Sequence, residues 1–196
     1  MLILARHGET PANARRLMVG STDPPLTDRG RRQAKAIAGS LPAGAVVLSS
    51  PLGRARETAG AYGEPEVDDR WREVDYGELE GRSSAETWLP LWEQWQADPE
   101  STPPGGESLA SVGRRVRGAC EDLLERAAAG DVVVFTHVGP IKAAVAWALH
   151  VGDSVARHMF VDLASVRRVA VTEHGPLLHS FNEIHHLADV DAGDPQ

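Results

Sequence analysis

Leu2–Thr10 reads Leu-Ile-Leu-Ala-Arg-His-Gly-Glu-Thr, so that an apolar run leads directly into Arg6, His7 and Gly8. An apolar run bounded by glycine predicts a short buried strand. Arg6 and His7 then lie at its carboxyl end, the edge at which open α/β sheets bind ligands. Arginine can grip a phosphate through two parallel hydrogen bonds, and histidine can act as a neutral nucleophile or carry a proton. Taken alone, so short a motif favours a solvated strand end, and the rest of the chain changes that interpretation.

The same pattern occurs a second time at Asp131–Thr136. This run, Asp-Val-Val-Val-Phe-Thr, is continuous and rich in β-branched residues, which predicts a central, parallel strand. It leads into His137 and Gly139 and then into a predicted helix that extends to about Leu149. Two strands therefore each deliver a histidine to one edge of the sheet. Together with Arg6, these histidines form a constellation rather than an isolated residue.

A third element adds a cation to the same edge. Ala45–Leu48 predicts a second buried strand, after which Ser50 is placed to cap a helix and Pro51 suits its first turn. Arg54 then lies near the positive end of this helix, where a cation is unfavourable on dipole grounds alone. The position is explained if an anion binds at the helix end. The alternative is a surface arginine, which we expect Arg56 to be.

The remaining segments predict alternating loops, helices and strands. Residues 10–25 are rich in Pro, Gly and Asp and predict a loop that can wrap a ligand, with Asn13 and Thr22 as candidate contacts. Thr27 is placed to cap a helix over Gly30–Gly39. Further predicted elements are an edge strand over Glu64–Asp68, a helix over Val112–Ala129, and closing strands over Met159–Leu163, Ser165–Thr172 and Leu177–Phe181.

Two segments before the central strand concern the site. Trp71–Gly81 could supply a general acid, although a solvated acidic loop is the simpler interpretation. Its carboxylates are Glu73, Asp75, Glu78 and Glu80. Residues 83–108 hold tryptophans at helical spacing, which indicates a packing face. We expect this second segment to be a helical insertion over the strand ends that forms a lid.

Composition and charge narrow the class of protein. The chain has 196 residues, of which 42% are hydrophobic and 24% charged, and a formal net charge of -8. These values are typical of a globular protein and argue against a nucleic-acid binder. No apolar run has the length of a signal peptide or a membrane span, so we expect a cytoplasmic protein without membrane partners. We expect one domain over residues 1–187, with a C-terminal tail over residues 188–196.

Cysteine and histidine usage gives no indication of a metal centre. The single cysteine, Cys120, falls in a predicted helix and is expected to be a small core residue. His185 and His186 are adjacent, but no carboxylate or thiol stands at ligand spacing from them. No metal site is therefore predicted.

In this order, the motifs resemble the histidine phosphatase superfamily, also called phosphoglycerate-mutase-like. The matching pieces are Arg6–Thr10 with Asn13; Leu26 and Thr27 with Gly30, Gln33 and Ala34; Ser49–Ala59; Arg72–Gly77 with Gly81; Pro104–Ser108; Thr136–Lys142; and Phe181 with Asn182. Each piece is short, but the ordered set spans residues 1–187 and is highly specific. The resemblance implies a three-layer α/β/α fold with a mostly parallel central sheet and the helical lid insertion over residues 83–108.

The resemblance also implies roles for the matching residues. His7 would be the nucleophile that becomes phosphorylated. Arg6, Arg54 and His137 would bind the phosphoryl group. Glu73, four residues before the glycine of its motif, would be the general acid and then the base that activates water. These roles require neither a metal ion nor a cofactor.

The pocket around these residues carries one departure from the family pattern. Asn13 lines the pocket in many members. Many members also have Gly-Gly after the second histidine, whereas here Val138 precedes Gly139. We expect this change to leave His137 in place and to narrow the pocket, with Val138 as a substrate contact.

The resemblance implies a phosphoryl-transfer enzyme, and two rivals remain. The chain length and the Pro-Gly-Gly-Glu-Ser turn favour the phosphatase branch of the family, because mutases are typically longer. Within that branch, the chain resembles α-ribazole phosphatase-like and broad-specificity members. The expected enzyme is a histidine acid phosphatase-type hydrolase of a small phosphomonoester, with inorganic phosphate as product. Residues 15–25 and 83–108 would set the substrate. The rivals are a phosphoglycerate mutase and a non-catalytic module that binds a phosphorylated ligand.

Overall fold

The computed structural model of the chain describes residues 1–190 and contains a six-stranded mixed sheet. Its strands are β1 (Leu2–Arg6), β2 (Val46–Ser49), β3 (Glu66–Val67), β4 (Val132–Thr136), β5 (Val166–Thr172) and β6 (Gly175–Glu183). The order across the sheet is β3-β2-β4-β1-β5-β6. Strands β3, β2, β4 and β1 pair in parallel, whereas β5 is antiparallel to both of its neighbours.

Helices cover both faces of this sheet. They are α1 (Pro11–Ala14), α2 (Asp28–Ser40), α3 (Gly53–Gly60), α4 (Ser84–Ala97), α5 (Leu109–Asp122), α6 (Leu124–Ala129) and α7 (Val138–Ala148). Short 3₁₀ turns lie at Asp69–Trp71, Gly77–Leu79, Asp153–His158 and His185–Leu187. As predicted, the Thr27 side chain caps α2 by accepting a hydrogen bond from the Gly30 N–H group.

Alternation along the central strands divides the core into two parts. In β1, Leu2 and Leu4 pack with residues of α4, α5, α6 and α7, whereas Ile3 and Ala5 pack on the other face with residues of α2 and α3. Successive side chains of a strand point to opposite faces, so one strand contributes to both cores. The predicted α/β fold with three layers and a mostly parallel sheet is confirmed.

The register of β1 and β4 positions the site. Every residue of β4 is buried, as expected for a central strand. Arg6 stands opposite Thr136 in the parallel pairing, and the His7 N–H group donates a 3.0 Å hydrogen bond to the Thr136 carbonyl. His7 and His137 are the next residues of their chains and leave the sheet side by side.

Three local predictions were wrong. Met159–Leu163 is not a strand, because β5 occupies the edge of β1 and leaves this segment no partner. The helix predicted over Val112–Ala129 is divided into α5 and α6 at Leu123. Ser50 does not cap α3, which begins later, at Gly53, and has no side-chain cap.

The segment over residues 83–108 contains α4 followed by loop and turn, so its helical part is shorter than predicted. Trp92 and Trp95 of α4 are buried in the core, and Trp88 faces the cavity described below. Its function as a lid stays a prediction. Of the predicted tail, residues 191–196 lie outside the described residues. No helix within residues 1–190 is long and apolar enough to cross a membrane.

Candidate active site

His7 is held in a defined tautomer at the end of β1. Its ring is only 3% exposed, and Nδ1 lies 2.7 Å from the Gly8 carbonyl oxygen. A carbonyl only accepts hydrogen bonds, so Nδ1 carries the proton and the neutral ring has its lone pair on Nε2. Burial, together with the positive charges of Arg54 and Arg6, holds the pKa of His7 well below its usual range. His7 is therefore neutral near pH 7, as a nucleophile must be.

The backbone after His7 is positioned by close packing against α2. A side chain on Gly8 would meet the Gly30 carbonyl, and a side chain on Gly30 would meet the Glu9 carbonyl, in both cases at a forbidden distance. The Gly8 N–H group also donates a 3.1 Å hydrogen bond to the Thr58 hydroxyl of α3. The turn after β1 is thus fixed from two helices, and only glycine permits this approach.

His137 packs directly against His7. Their ring centroids are 5.0 Å apart, and His137 Nε2 lies 2.8 Å from the Ser50 hydroxyl. His137 is fully buried, and burial followed by the charge of Arg54 lowers its pKa well below the usual value. Ser50, which the sequence pattern assigned to a helix cap, instead orients this second histidine.

Arg54 is the second residue of α3 and is 1% exposed. Its guanidinium group donates hydrogen bonds to the carbonyl oxygens of Gly20, at 2.9 Å, and Thr22, at 2.8 Å. Asp23 lies 3.3 Å from the same guanidinium group. Thr22 is not among the residues that line the cavity; its carbonyl holds Arg54 and its hydroxyl binds Glu80.

Arg6 supplies a second cation at the same edge. Its Nη1 group donates a 2.7 Å hydrogen bond to the Val161 carbonyl, while its buried Nε has no partner within residues 1–190. Burial lowers the pKa of Arg6 to about 10, which still leaves it charged at neutral pH. Met159–Leu163, wrongly predicted as a strand, is therefore a loop that anchors this arginine.

A buried network supports the Arg6 loop from behind. Arg167 is fully buried and donates a 2.8 Å hydrogen bond to the Ser165 carbonyl. Asn182 donates to the Asp162 carboxylate at 2.7 Å and accepts from the Asp162 N–H group. Asn182 has a φ of 58°, a left-handed conformation that asparagine tolerates better than most residues. The motif ending in Asn182 thus contributes a positioning residue.

Glu73 lies at the amino end of α7 and is 8% exposed. Its Oε2 accepts from the Val138 N–H group at 3.1 Å, and its Oε1 accepts from Gly139 at 2.8 Å and from Val74 at 2.9 Å. The first turn of a helix has unpaired N–H groups that favour an anion, so the carboxylate is a cap for α7. These donors fix its orientation toward the cavity.

The other carboxylates of the acidic segment have different environments. Glu80 binds the backbone N–H groups of Ser21 and Thr22, at 2.5 and 2.8 Å. Asp75 accepts from the Gly77 N–H group at 2.9 Å, within its own turn. Glu78 is exposed. Of the four carboxylates, Glu73 is the one that lines the cavity.

These residues surround a cavity of about 1040 Å³. Arg6, His7, Arg54 and Glu73 line it, and His137 lies behind His7. Asn13 and Val138 also line it, and their role as substrate contacts stays a prediction. The Asn13 Oδ1 atom accepts hydrogen bonds from Thr10 as part of the α1 cap, which leaves its amide group for a ligand. The side chain of Val138 occupies space beside Glu73 that a glycine would leave open.

The sequence analysis missed several lining residues, including Gln33, Tyr76 and Lys142. Each lies within a quoted motif or beside one, but none has a spacing that marks it as a site residue. Gln33 binds the Glu9 N–H group at 2.8 Å. Tyr76 is buried, and its pKa is raised well above the usual value by burial and by the charge of Glu73.

Neither a metal cluster nor a reactive thiol is found near the site. Within residues 1–190, no group of three His, Cys, Asp or Glu side chains is placed to hold a metal ion. His186 instead binds the Ala164 carbonyl through Nε2, at 2.9 Å. Cys120 is buried, and burial raises its pKa, in agreement with a core residue.

Comparison with known proteins identifies relatives over most of the chain. The chain is 38% identical over 176 residues to the bifunctional protein Rv2228c of Mycobacterium tuberculosis; the match covers 84% of this chain but only 48% of that protein. It is 33% identical over 199 residues to phosphoserine phosphatase 1 of Hydrogenobacter thermophilus, covering 96% of this chain and 94% of the relative.

Solved structures show the same architecture. A phosphoserine phosphatase mutant from Entamoeba histolytica, in complex with phosphoserine, is similar with a TM-score of 0.86 and 26% identity, covering 95% of this chain and 98% of that one. Similar proteins also include an α-ribazole phosphatase and a protein named as a phosphoglycerate mutase. The family model for the histidine phosphatase superfamily (branch 1) matches residues 2–184, and the chain therefore belongs to this superfamily.

Proposed function

We propose that the protein is a phosphatase that hydrolyses a small phosphomonoester through a phosphohistidine on His7. The observation that carries the proposal is the state of this residue. His7 is neutral, its Nδ1 proton is held by the Gly8 carbonyl, and its Nε2 lone pair is free. Two arginines and a carboxylate line the same cavity. A free imidazole nitrogen beside fixed cations is suited to attack on a phosphate ester.

In the first step, Nε2 of His7 forms a bond to phosphorus and the ester P–O bond breaks. The leaving oxygen takes a proton from Glu73, which acts as the general acid in this step. Arg6 and Arg54 balance the negative charge of the transferred phosphoryl group. Because both guanidinium groups are already anchored on backbone carbonyls, little reorganisation is needed when the anion binds.

His137 is proposed as a further hydrogen-bond donor to the phosphoryl group. It lies behind His7, with Nε2 engaged by Ser50 and Nδ1 unpartnered within residues 1–190. Its role therefore requires the Ser50 contact to adjust as the anion enters. Such tightening on substrate binding is common for catalytic hydrogen bonds.

In the second step, water attacks phosphorus and the P–N bond breaks. Glu73, now a carboxylate, takes a proton from the water, and inorganic phosphate is released while His7 returns to its neutral state. A mutase would instead return the phosphoryl group to another oxygen of the same substrate. A binding module would need neither the free nitrogen of His7 nor a carboxylate beside it, so both features support catalysis.

The test is a phosphate-release assay over a panel of phosphomonoesters, with and without a chelator. We expect release that survives the chelator and is lost in His7→Ala. The mutase alternative is measured in parallel as interconversion of 3-phosphoglycerate and 2-phosphoglycerate. Interconversion faster than phosphate release would favour the mutase, and phosphorylated ligands that bind without either reaction would favour the binding module.

A further inference from the structure

Lys142 is a buried cation that the proposed mechanism does not use. It lies on α7, is 8% exposed and lines the cavity. Its Nζ atom is 5.3 Å from the ring centroid of Trp88 on α4. Within residues 1–190, no hydrogen bond or ion pair reaches this ammonium group. Lys142 is also one of only two lysines in the chain, and the other, Lys35, is exposed.

The Lys142 side chain is largely buried, but it lines the cavity and has no protein hydrogen-bond partner within residues 1–190, so an anionic group of a ligand in the cavity can reach its ammonium group. Burial lowers the pKa of Lys142 to about 8, opposed by the charge of Glu73 and assisted by that of Arg6. The cation–π contact with Trp88 offsets part of the free-energy cost of burying the charged side chain. Trp88 is itself held in place by packing against Trp92 and Trp95. Lys142 therefore lies between a packed aromatic cluster and the cavity, and no carboxylate within residues 1–190 forms an ion pair with it.

The position of Lys142 relative to Glu73, the proposed general acid, determines which part of a bound substrate the lysine can contact. Val138 and Lys142 are four residues apart on α7, so they share one face, about 6 Å apart along the axis. Val138 is the residue whose backbone binds Glu73. Glu73 protonates the leaving oxygen in the proposed mechanism. Lys142 is thus one helical turn beyond the point where the leaving group departs, whereas Arg6 and Arg54 serve the phosphoryl group itself.

We propose that Lys142 binds a second anionic group carried by the leaving group of the substrate. The proposal rests on the proposed phosphatase function and deepens it. The preferred substrates are phosphomonoesters whose alcohol part bears a carboxylate or a second phosphate. An ion pair with that group supplies the charge-assisted hydrogen bond that the ammonium group lacks in the free protein.

The test uses pairs of substrates that differ only in the second anion. Phosphoserine and phosphoethanolamine differ by one carboxylate, as do 3-phosphoglycerate and glycerol 3-phosphate, in which an uncharged hydroxymethyl group replaces it. The monophosphate and bisphosphate of 1,3-propanediol test a second phosphate. Each pair is measured with the wild type, with Lys142→Met, which keeps the length of the side chain without its charge, and with the exposed control Lys35→Met.

We expect the wild type to show a higher kcat/KM for the anionic member of at least one pair. Lys142→Met should reduce that preference by about 10- to 100-fold, mainly through KM, the range of one charge-assisted hydrogen bond. Lys35→Met should leave it unchanged. The pairs also identify the anion, because a preference confined to the carboxylate or to the bisphosphate pair names the group that Lys142 takes.

A second readout comes from pH. The KM for the preferred anionic substrate should rise as the pH passes about 8, where free Lys142 loses its charge, and the KM for its uncharged partner should not. The other charged groups near this lysine are Glu73 and Arg6, together with Asp153, which is paired with Arg117 at 2.7 Å. Both members of a substrate pair meet the same neighbouring groups, so the difference between them reports on Lys142.

Two results would overturn the proposal: a wild type with no preference in any pair, or a Lys142→Met variant that slows both members of a pair equally. The second result would mean that Lys142 acts through Glu73. If the wild type hydrolyses none of the substrates, the phosphatase function fails instead. The same pairs are then titrated calorimetrically, and Lys142→Met must weaken the anionic member selectively for the inference to stand.

Discussion

Glu73 Oε1 lies 2.8 Å from the backbone nitrogen of Gly139, and a side chain at Gly139 would come within 2.6 Å of the same oxygen. The close contact leaves no room for a side chain at position 139, whereas the side chain of Val138 is accommodated at the cavity. Val138 directs its side chain into the cavity, whereas any side chain on Gly139 is driven into Glu73 and Val74. The Glu73 carboxylate and the start of α7 are therefore packed as one unit.

Gly139→Ala should displace the Glu73 carboxylate. We expect a loss of stability of about 1–3 kcal/mol from overpacking and a fall in kcat/KM on alkyl phosphates. Urea unfolding and phosphate release measure the two effects. Gly118→Ala on α5 is the matched control, because a methyl group added there meets nothing within 4 Å. An alanine at 139 with wild-type activity would show that this contact does not position Glu73.

Replacement of the nucleophile should abolish turnover. His7→Ala is expected to lower kcat by at least about 10³-fold, the scale seen when a nucleophile is removed. In the wild type, rapid quench into alkali should trap a phosphoenzyme that is labile to acid. His179→Ala, which changes an exposed histidine, is the control. Covalent catalysis is excluded if no acid-labile phosphoenzyme forms and His7→Ala keeps its activity.

Glu73→Gln should affect alkyl phosphates more than aryl phosphates. An alkoxide needs a proton to leave, whereas p-nitrophenolate departs with little help, so the alkyl defect should be about 10²–10⁴-fold. Because the second step also uses Glu73, the phosphoryl-transfer step is isolated by rapid quench. The exposed Glu78→Gln is the control. Equal slowing of both substrates, or a selective defect in Glu78→Gln, would show that Glu73 is not the acid.

Stability should fall on acidification because of the buried histidines. The pKa of His7 and that of His137 are both lowered in the folded protein, so below pH ~6.5 the unfolded chain binds protons that the folded chain does not. Stability therefore rises with pH through this window, by up to about 1.4 kcal/mol per pH unit for each histidine. Urea unfolding between pH 7.5 and 5.5 measures the slope.

The control for this slope is His137→Gln, which removes one of the two groups. Its unfolding free energy should depend less steeply on pH than that of the wild type, whereas His179→Asn at an exposed position should not alter the slope. A slope that is the same in all three proteins would mean that these histidines are not kept neutral by the fold.

The sequence predicted which edge of the sheet carries the candidate site, because this edge follows from local patterns, whereas the choice of Glu73 came from the family resemblance. Apolar runs gave the central strands, and register in a parallel pair brings His7 and His137 together. Local patterns could not predict that Met159–Leu163 forms a loop rather than a strand. The segment has the composition of a strand, but the free edge of β1 is taken by β5, and the segment binds Arg6 instead.

Local sequence patterns also could not predict the roles of side chains that depend on tertiary contacts. Ser50 stands where a helix cap is common, yet its hydroxyl binds His137, 87 positions further along the chain. Lys142 falls on a helix that is buried on nearly all sides. Only the three-dimensional arrangement with Trp88 shows that its ammonium group borders the cavity.

The anchoring of Arg54 has a consequence for how substrate selection can diversify. The segment expected to select the substrate, residues 15–25, also holds this arginine, and it does so with the carbonyl oxygens of Gly20 and Thr22. Carbonyl acceptors are present whatever the side chain. Two positions are restricted, because a side chain on Gly20 would meet the Val74 carbonyl and the Asp23 carboxylate also contacts Arg54. Elsewhere the loop can exchange residues while the arginine keeps its carbonyl anchors, but an insertion or deletion between 20 and 23 would release it. We therefore expect related or engineered proteins to vary in the side chains of this loop more readily than in its length.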